Sequence, residues 1–245
     1  MCMRIFYREV FLKVAGNFLG SMIRFFYKEG VKVMRQALIF DVDGTLWDTT
    51  YQLPLLYNEM FKKLGFTEKC IDRKTVMGFM GYTEEEIAAI IFPNLEHEER
   101  KKYLDMITQE ECRYLLTKPG KLYPDVKEVL DYLHRKYELY IVSNCQKGYV
   151  ETLYAAHGLE NYFCDFECSG RTGFSKGDNI RFIMERNQLQ TAVYIGDTLK
   201  DKEACDYAGI PFVYAAYGFG KVEEYAHKID AFKDLICLLY TSPSP

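Results

Sequence analysis

The stretch ALIFDVDGTLWD, residues 37–48, decides the fold class of this 245-residue chain. Its first four residues are apolar, and Asp-Val-Asp-Gly follows them at once. A short apolar run that ends in Asp-Gly turn chemistry is typical of a buried strand. We therefore predict a buried strand over 37–41, with Asp41 and Asp43 at its carboxyl end.

Strands and helices alternate after residue 121. Helical spacing of apolar residues predicts helices over 125–136, 147–157, 179–186 and 201–208. Short apolar runs predict strands over 139–143, 162–168, 192–196 and 212–215, with an edge strand over 229–232. Strands joined by crossover helices form a parallel sheet covered on both faces. The predicted fold class is α/β, with a Rossmann-like parallel sheet core and helices on both faces.

The segment 49–121 interrupts this alternation. It shows helical patterns over 55–64, 84–91 and 98–116 and no convincing strand. A segment of this length is too long for a loop in a compact domain. We expect an inserted all-helical cap domain over 49–121, and an α/β core domain made of 34–48 and 122–236.

The two ends differ from the rest of the chain. Residues 1–33 contain six Lys or Arg, two Glu and many aromatic residues. They are interpreted as a translated upstream segment before a start at Met34, and the alternative is a basic amphipathic helix on a membrane surface. Residues 237–245, CLLYTSPSP, resemble a translated sequencing adaptor, so we expect a non-native tail after about Ile236; a natural disordered tail is the alternative.

Composition excludes several classes of protein. The net charge of -4 gives no reason to expect nucleic-acid binding, and 49% hydrophobic residues exclude a disordered chain. The eight cysteines contain no C-x-x-C pair, which favours buried free thiols in a reducing compartment. We expect a cytoplasmic protein, a monomer or homodimer, without membrane contact.

Polar residues follow four of the predicted strands. Ligands of open α/β sheets bind beyond the carboxyl ends of the strands, so these residues are expected to lie close together. They are Asp41 and Asp43 after the first strand, Ser143 and Asn144 at the end of the second, Lys176 in the loop after the third, and Asp197 and Asp201 at and after the end of the fourth.

These residue types suit metal-assisted phosphoryl transfer. Asp41 and Asp197 can hold Mg²⁺ through carboxylate oxygens, while Ser143 and Lys176 bind phosphate oxygens. A carboxylate at Asp41 can then attack phosphorus. Asp43 is near enough to protonate the leaving oxygen and later to activate water.

The motifs resemble those of the haloacid dehalogenase superfamily of aspartate-nucleophile phosphohydrolases. Residues 41–48 match the first motif, Ser143 the second, Lys176 the third and 196–201 the fourth, and 208–220 are similar to the phosphoglycolate-phosphatase-like branch. The resemblance implies that Asp41 is the nucleophile and Asp43 the general acid/base, whose backbone carbonyl joins Asp41 and Asp197 on Mg²⁺.

The resemblance also implies supporting roles. Asp201 supports the metal site or orients Lys176, and the helical insert closes over the substrate. We further expect Asn144 to contact phosphate beside Ser143.

The sequence thus predicts a magnesium-dependent phosphatase for a small phosphorylated metabolite, such as a phosphoglycolate-like compound or a sugar phosphate, acting through an aspartyl-phosphate. Two alternatives stay open. One is a sugar phosphomutase on the same scaffold, and the other is a non-catalytic, membrane-tethered binding protein. A dehalogenase is disfavoured, because Asp43 and the carboxylate cluster suit phosphoryl transfer.

Overall fold

A computed structural model describes residues 36–241 of the chain. Its strands, in chain order, are β1 (Ala37–Phe40), β2 (Trp47–Asp48), β3 (Lys121–Leu122), β4 (Glu138–Ser143), β5 (Asp165–Cys168), β6 (Ala192–Gly196), β7 (Phe212–Ala215) and β8 (His227–Ile229). Its helices are α1 (Leu53–Lys63), α2 (Arg73–Phe79), α3 (Glu84–Ile91), α4 (His97–Thr117), α5 (Val126–Leu133), α6 (Tyr149–His157), α7 (Ser169–Thr172), α8 (Lys176–Arg186), α9 (Leu199–Ala208) and α10 (Asp234–Thr241).

Six strands form one sheet in the order β5-β4-β1-β6-β7-β8. All of its neighbouring strands are parallel, and β1 lies at its centre between β4 and β6. The carboxyl ends of β1, β4 and β6 therefore reach one edge of the sheet side by side. The predicted parallel α/β sheet is confirmed.

Alternation along β1 shows why helices cover both faces of the sheet. Leu38 and Phe40 belong to one buried apolar cluster, and Ala37 and Ile39 belong to another. Successive side chains of a strand point to opposite faces, so each face needs its own cover. Helices α5, α6 and α10 supply apolar side chains to the first cluster, and α8 and α9 supply them to the second.

Helices α1 to α4 form the segment between β2 and β3. These two strands are only two residues each and pair antiparallel, with Trp47 opposite Leu122. The chain thus enters the helical segment after β2 and leaves it at β3, and these two strands pair with each other. Apolar side chains of α1 to α4 join the buried cluster that includes Phe40 of β1.

Several predicted bounds need correction. Lys176 is the first residue of α8 rather than a loop residue, because Ser175 caps that helix by accepting a hydrogen bond from the Asp178 backbone N–H. Residues 162–164 lie in a 3₁₀ turn and a bend before β5, and the edge strand is β8 rather than 229–232. Helix α2 was not predicted, since it has only seven residues.

The structure describes the C-terminal end of the chain in part and the first 35 residues not at all. The segment 1–33 lies outside the described residues. Helix α10 continues through Thr241, five residues beyond the point after which we expected the natural fold to diverge. Whether 1–33 and 237–245 belong to the natural protein stays a prediction.

Within residues 36–241, no helix is long and apolar enough to cross a membrane. None of the seven cysteines described there is bonded in a disulfide, as predicted. Three of them, Cys70, Cys164 and Cys237, are exposed, so the prediction that the thiols are buried was wrong for these.

Candidate active site

Three carboxylates meet at the carboxyl edge of the sheet. Asp41 follows β1, Asp197 follows β6, and Asp201 lies in the first turn of α9. Each offers one oxygen within 4.8 Å of the others, and all three side chains are buried. The parallel pairing of β1 with β6 brings Asp41 and Asp197 together, as the sequence predicts.

Lys176 places its ammonium group between two of these carboxylates. Its Nζ lies 3.0 Å from Asp41 Oδ1 and 2.6 Å from Asp201 Oδ1. Burial alone would lower the pKa of Lys176, but the charges of Asp201 and Asp41 raise it above its usual range. Lys176 is therefore a permanent cation at this site.

Asp201 is held in place by donors of the protein. Its Oδ2 accepts hydrogen bonds from the Thr198 backbone N–H at 2.9 Å and the Thr198 hydroxyl at 2.7 Å. Its Oδ1 accepts from Lys176 and from the Tyr194 hydroxyl at 3.3 Å. Both oxygens are engaged, and this arrangement favours the expectation that Asp201 orients Lys176.

The backbone closely encloses Asp197. Its Oδ2 accepts from the Phe219 N–H at 2.7 Å and from the Gly220 N–H at 3.3 Å. A Cβ atom at Gly44 or at Gly218 would collide with the Asp197 side chain, so both positions require glycine. Gly44 also has a φ of 82°, a conformation that other residues rarely adopt.

Crowding of acidic groups disfavours their ionised forms. Burial, followed by the charge of Asp201, raises the pKa of Asp41 to about 7 although Lys176 opposes the shift. Burial and the charges of Asp201 and Asp41 also raise the pKa of Asp197 well above its usual range. The site favours the arrival of further positive charge.

The donor set fits a hard divalent cation. Three buried carboxylates face one ammonium group, and the oxygens of Asp41 and Asp197 are hard ligands of the kind Mg²⁺ prefers. A bound cation would also relieve the crowding that raises the pKa of both groups. Asp41 and Asp197 are the residues best suited to hold it, since Asp201 is engaged by Lys176 and Thr198.

Asp43 lies two residues after Asp41, is half-buried, and is held by two hydroxyl groups. Thr49 donates to its Oδ1 at 3.0 Å and Tyr149 donates to the same oxygen at 2.9 Å. Burial raises the pKa of Asp43 to about 6 against these two hydrogen bonds. Tyr149 packs edge-on against Trp47, with ring centroids 5.3 Å apart. Sequence reasoning missed Tyr149, because nothing distinguishes it among 20 tyrosines.

Ser143 ends β4 and Asn144 follows it, and their side chains make different contacts. The Ser143 side chain is buried and accepts a 3.4 Å hydrogen bond from the Cys145 N–H. Asn144 donates its amide to the Gly81 carbonyl at 2.8 Å and accepts from Ser169 at 3.0 Å. Asn144 thus joins the sheet to the helical segment, and its predicted contact with phosphate stays a prediction.

A cavity of about 50 Å³ lies between the strand ends and the helical segment. Asp41, Asp43 and Ser143 line it on the sheet side, and Tyr57 and Glu111 line it on the helical side. Tyr57 and Glu111 were not predicted, because helical spacing alone places both among the many residues of α1 and α4.

Known proteins resemble this chain over most of its length. The model of a family described as haloacid dehalogenase-like hydrolase matches residues 38–215. A phosphoglycolate phosphatase from Vibrio vulnificus is 27% identical over 207 residues, which is 78% of this chain and 88% of that protein. One from Aquifex aeolicus is 26% identical over 195 residues, covering 76% of this chain and 87% of that protein.

Solved structures share the fold. A haloacid dehalogenase-like hydrolase from Streptococcus pneumoniae has a TM-score of 0.72 at 22% identity, over 84% of this chain and 98% of that one. A predicted phosphoglycolate phosphatase from Haemophilus somnus has a TM-score of 0.72 at 21% identity, over 86% of this chain and all of that one. At such low identities these structures support the fold alone.

Proposed function

This chain belongs to the haloacid dehalogenase-like hydrolase family, and we propose that it hydrolyses small phosphomonoesters through a phosphoryl group held transiently on Asp41. The observation that most supports the proposal is the contact of one buried ammonium group, Lys176, with both Asp41 and Asp201. This contact holds the Asp41 carboxylate in a fixed orientation at the carboxyl edge of the sheet. The ammonium group of Lys176 can also neutralise a substrate phosphate there. The curated relatives named phosphoglycolate phosphatase support the same class of reaction.

Asp41 and Asp197, with the backbone carbonyl of Asp43, would hold Mg²⁺ at this site. When bound, the ion neutralises phosphate oxygens and so lets an anionic carboxylate approach phosphorus. Lys176 and the Ser143 hydroxyl bind the remaining phosphate oxygens, the first as a compact charge and the second as a hydrogen-bond donor.

The first chemical step uses both aspartates of the first motif. A carboxylate oxygen of Asp41 forms a bond to phosphorus, and the bond from phosphorus to the leaving alcohol oxygen breaks. Asp43 donates its proton to that oxygen, which is feasible because burial raises its pKa to about 6. The two hydroxyls that bind Asp43 Oδ1 fix the side chain, and Oδ2 exchanges the proton.

The second step reverses the role of Asp43. Its carboxylate accepts a proton from a water molecule, whose oxygen attacks phosphorus while the bond from phosphorus to Asp41 breaks. Phosphate leaves, Asp41 is free again, and Asp43 is protonated for the next cycle. The helical segment covers the site during these steps and limits competing access of water.

Release of phosphate from p-nitrophenyl phosphate and from a panel of small phosphomonoesters tests the proposal. We expect turnover with Mg²⁺, loss of turnover in excess EDTA, and at least a ~10⁴-fold lower kcat for Asp41→Asn, because an amide is a poor nucleophile and a poor ligand. The exposed Asp206→Asn is the control and should keep wild-type activity. Turnover that persists in EDTA, or in Asp41→Asn, would contradict the proposal.

A further inference from the structure

The cavity next to the catalytic aspartates has an unusual set of charges. The ionisable acids that line it are Asp41, Asp43, Glu84 and Glu111, and within residues 36–241 no Lys, Arg or His lines it. Lys176 does not line the cavity and contacts Asp41 and Asp201. A leaving group in this cavity would therefore meet carboxyl groups and no cation.

Three cations of the helical segment make contacts outside the cavity. Arg73 pairs with Asp48, and Lys101 pairs with Asp105. Arg100 donates to the backbone carbonyls of Leu95 and Pro93. None of the three lines the cavity.

Glu111 shows directly how the cavity treats negative charge. Its side chain is buried in the wall of the cavity, where the Tyr57 hydroxyl donates to Oε2 at 3.1 Å. Burial, followed by the nearby charge of Asp43, raises the pKa of Glu111 to about 8. A substrate carboxylate placed beside Glu111 would meet the same loss of hydration and the same repulsion.

A hydrogen-bond donor lies beside Glu111 in the same wall. The amide nitrogen of Gln146 is buried close enough to the Glu111 carboxyl to oppose the rise of its pKa, but among the described residues it makes no hydrogen bond of ordinary geometry. The wall thus presents a donor at Gln146 and a carboxyl group at Glu111. A hydroxyl group can accept from the first and donate to the second without bringing a further negative charge among the four acids.

We propose that the substrate's leaving group is a hydroxylated alcohol without a carboxylate, and that Glu111 and Gln146 select it against the carboxylate of phosphoglycolate. This inference rests on the proposed phosphatase function and names its substrate class. Phosphoglycolate, the substrate named for the curated relatives, would be a poor substrate here.

Three phosphomonoesters of nearly equal size separate the possibilities. 2-Hydroxyethyl phosphate presents a hydroxyl, 2-phosphoglycolate a carboxylate, and O-phosphoethanolamine an ammonium group, each on a two-carbon chain. We expect kcat/KM for 2-hydroxyethyl phosphate to exceed that for 2-phosphoglycolate by at least about tenfold, because no cation of residues 36–241 lines the cavity to balance a buried carboxylate. O-Phosphoethanolamine, which brings no negative charge, should also exceed 2-phosphoglycolate.

Glu111→Gln tests the residue itself. It removes the ionisable group while keeping the size of the side chain, so at about pH 9, where Glu111 carries its charge, the preference for 2-hydroxyethyl phosphate over 2-phosphoglycolate should fall by about threefold or more. Glu110→Gln, on the same helix but paired with Arg113 at the surface, should leave this ratio unchanged.

The outcomes distinguish this inference from the proposed function. Turnover of 2-phosphoglycolate equal to or faster than that of either other compound would overturn the inference alone, as would release of phosphate from p-nitrophenyl phosphate but from none of the three. An unchanged ratio of the two kcat/KM values in Glu111→Gln would show that Glu111 does not select the leaving group. No release from any compound, p-nitrophenyl phosphate included, would contradict the proposed function and the inference with it.

Discussion

On the sheet side of the cavity, Asp41, Asp43 and Ser143 each end or follow a strand, whereas on the helical side Tyr57 and Glu111 come from helices and lie 54 residues apart in sequence. The two sides also differ in charge compensation. Lys176 compensates the carboxylates of the sheet side, and no cation among residues 36–241 lines the helical side. The difference suggests that the sheet side performs the chemistry and that the helical side selects the leaving group.

Lys176→Met should have the largest effect on the sheet side. It leaves Asp41 and Asp201 buried without their ammonium partner, so the free energy of unfolding should fall by about 3–5 kcal/mol and phosphatase activity should be lost. Urea unfolding in EDTA, with and without the substitution, measures the first effect. A loss under about 1 kcal/mol would mean that the ion pairs contribute little.

Asp43→Asn should reduce turnover without disturbing the fold. Asparagine keeps the oxygen that accepts from Thr49 and Tyr149 but cannot exchange a proton. We expect kcat to fall by about 10²–10⁴-fold. Steady-state phosphate release measures it, with urea unfolding as the control for stability. A kcat within about threefold of wild type would exclude Asp43 as the general acid/base.

Glu111→Gln should change stability in a pH-dependent way on the helical side. Glu111 has a pKa of about 8 in the folded protein against 4.5 ordinarily, so the native state binds the extra proton between these values and the wild type loses stability as pH rises from 4.5 to 8. Glutamine lacks this dependence. The variant should be more stable than the wild type by about 2–4 kcal/mol at pH 8 and by much less at pH 5.

Urea unfolding at the two pH values checks this expectation, with Glu110→Gln as the surface control on the same helix. An advantage of Glu111→Gln that does not grow with pH would show that Glu111 is not held in its protonated form.

Lys200→Met should have the smallest effect. Lys200 of α9 pairs with Glu86 of the helical segment at 2.5 Å, but the two side chains are 33% and 42% exposed. Exposed pairs contribute about 1 kcal/mol or less, so the free energy of unfolding should change by no more than that. Comparison with Lys176→Met at equal urea concentrations tests the contrast between a buried and a surface lysine. Equal losses of unfolding free energy in the two variants would contradict this contrast.

The sheet side could be predicted from the sequence because its residues follow strands. Parallel pairing brings Asp41 and Asp197 to one edge whatever the loops between them do. The hydrogen-bond and ion-pair partners of these residues were harder to predict from the sequence. Whether Asp201 binds Lys176 or supports the metal could not be decided, since it depends on the start of α8 and on the capping of α9 by Thr198.

The helical side could not be predicted in the same way. Helical spacing indicates which residues are buried but not which buried polar groups meet across helices. Glu111 meets Tyr57, and Asn144 meets the Gly81 carbonyl, only because α4 and the loop after α2 pack over the ends of the strands. The ladder of Trp47 with Leu122 is two residues long and leaves no periodic signal.

The central claim is that Asp41 accepts the phosphoryl group and Asp43 moves the proton. Asp43→Asn with p-nitrophenyl phosphate tests it most directly, because this leaving group needs little protonation while the attack of water still lacks its base. After rapid quenching, mass spectrometry of the peptide around residue 41 should find the phosphoryl group on Asp41, at a higher occupancy than in the wild type. Phosphorylation of another residue, or no phosphorylated enzyme while Asp41→Asn still turns over, would contradict the claim.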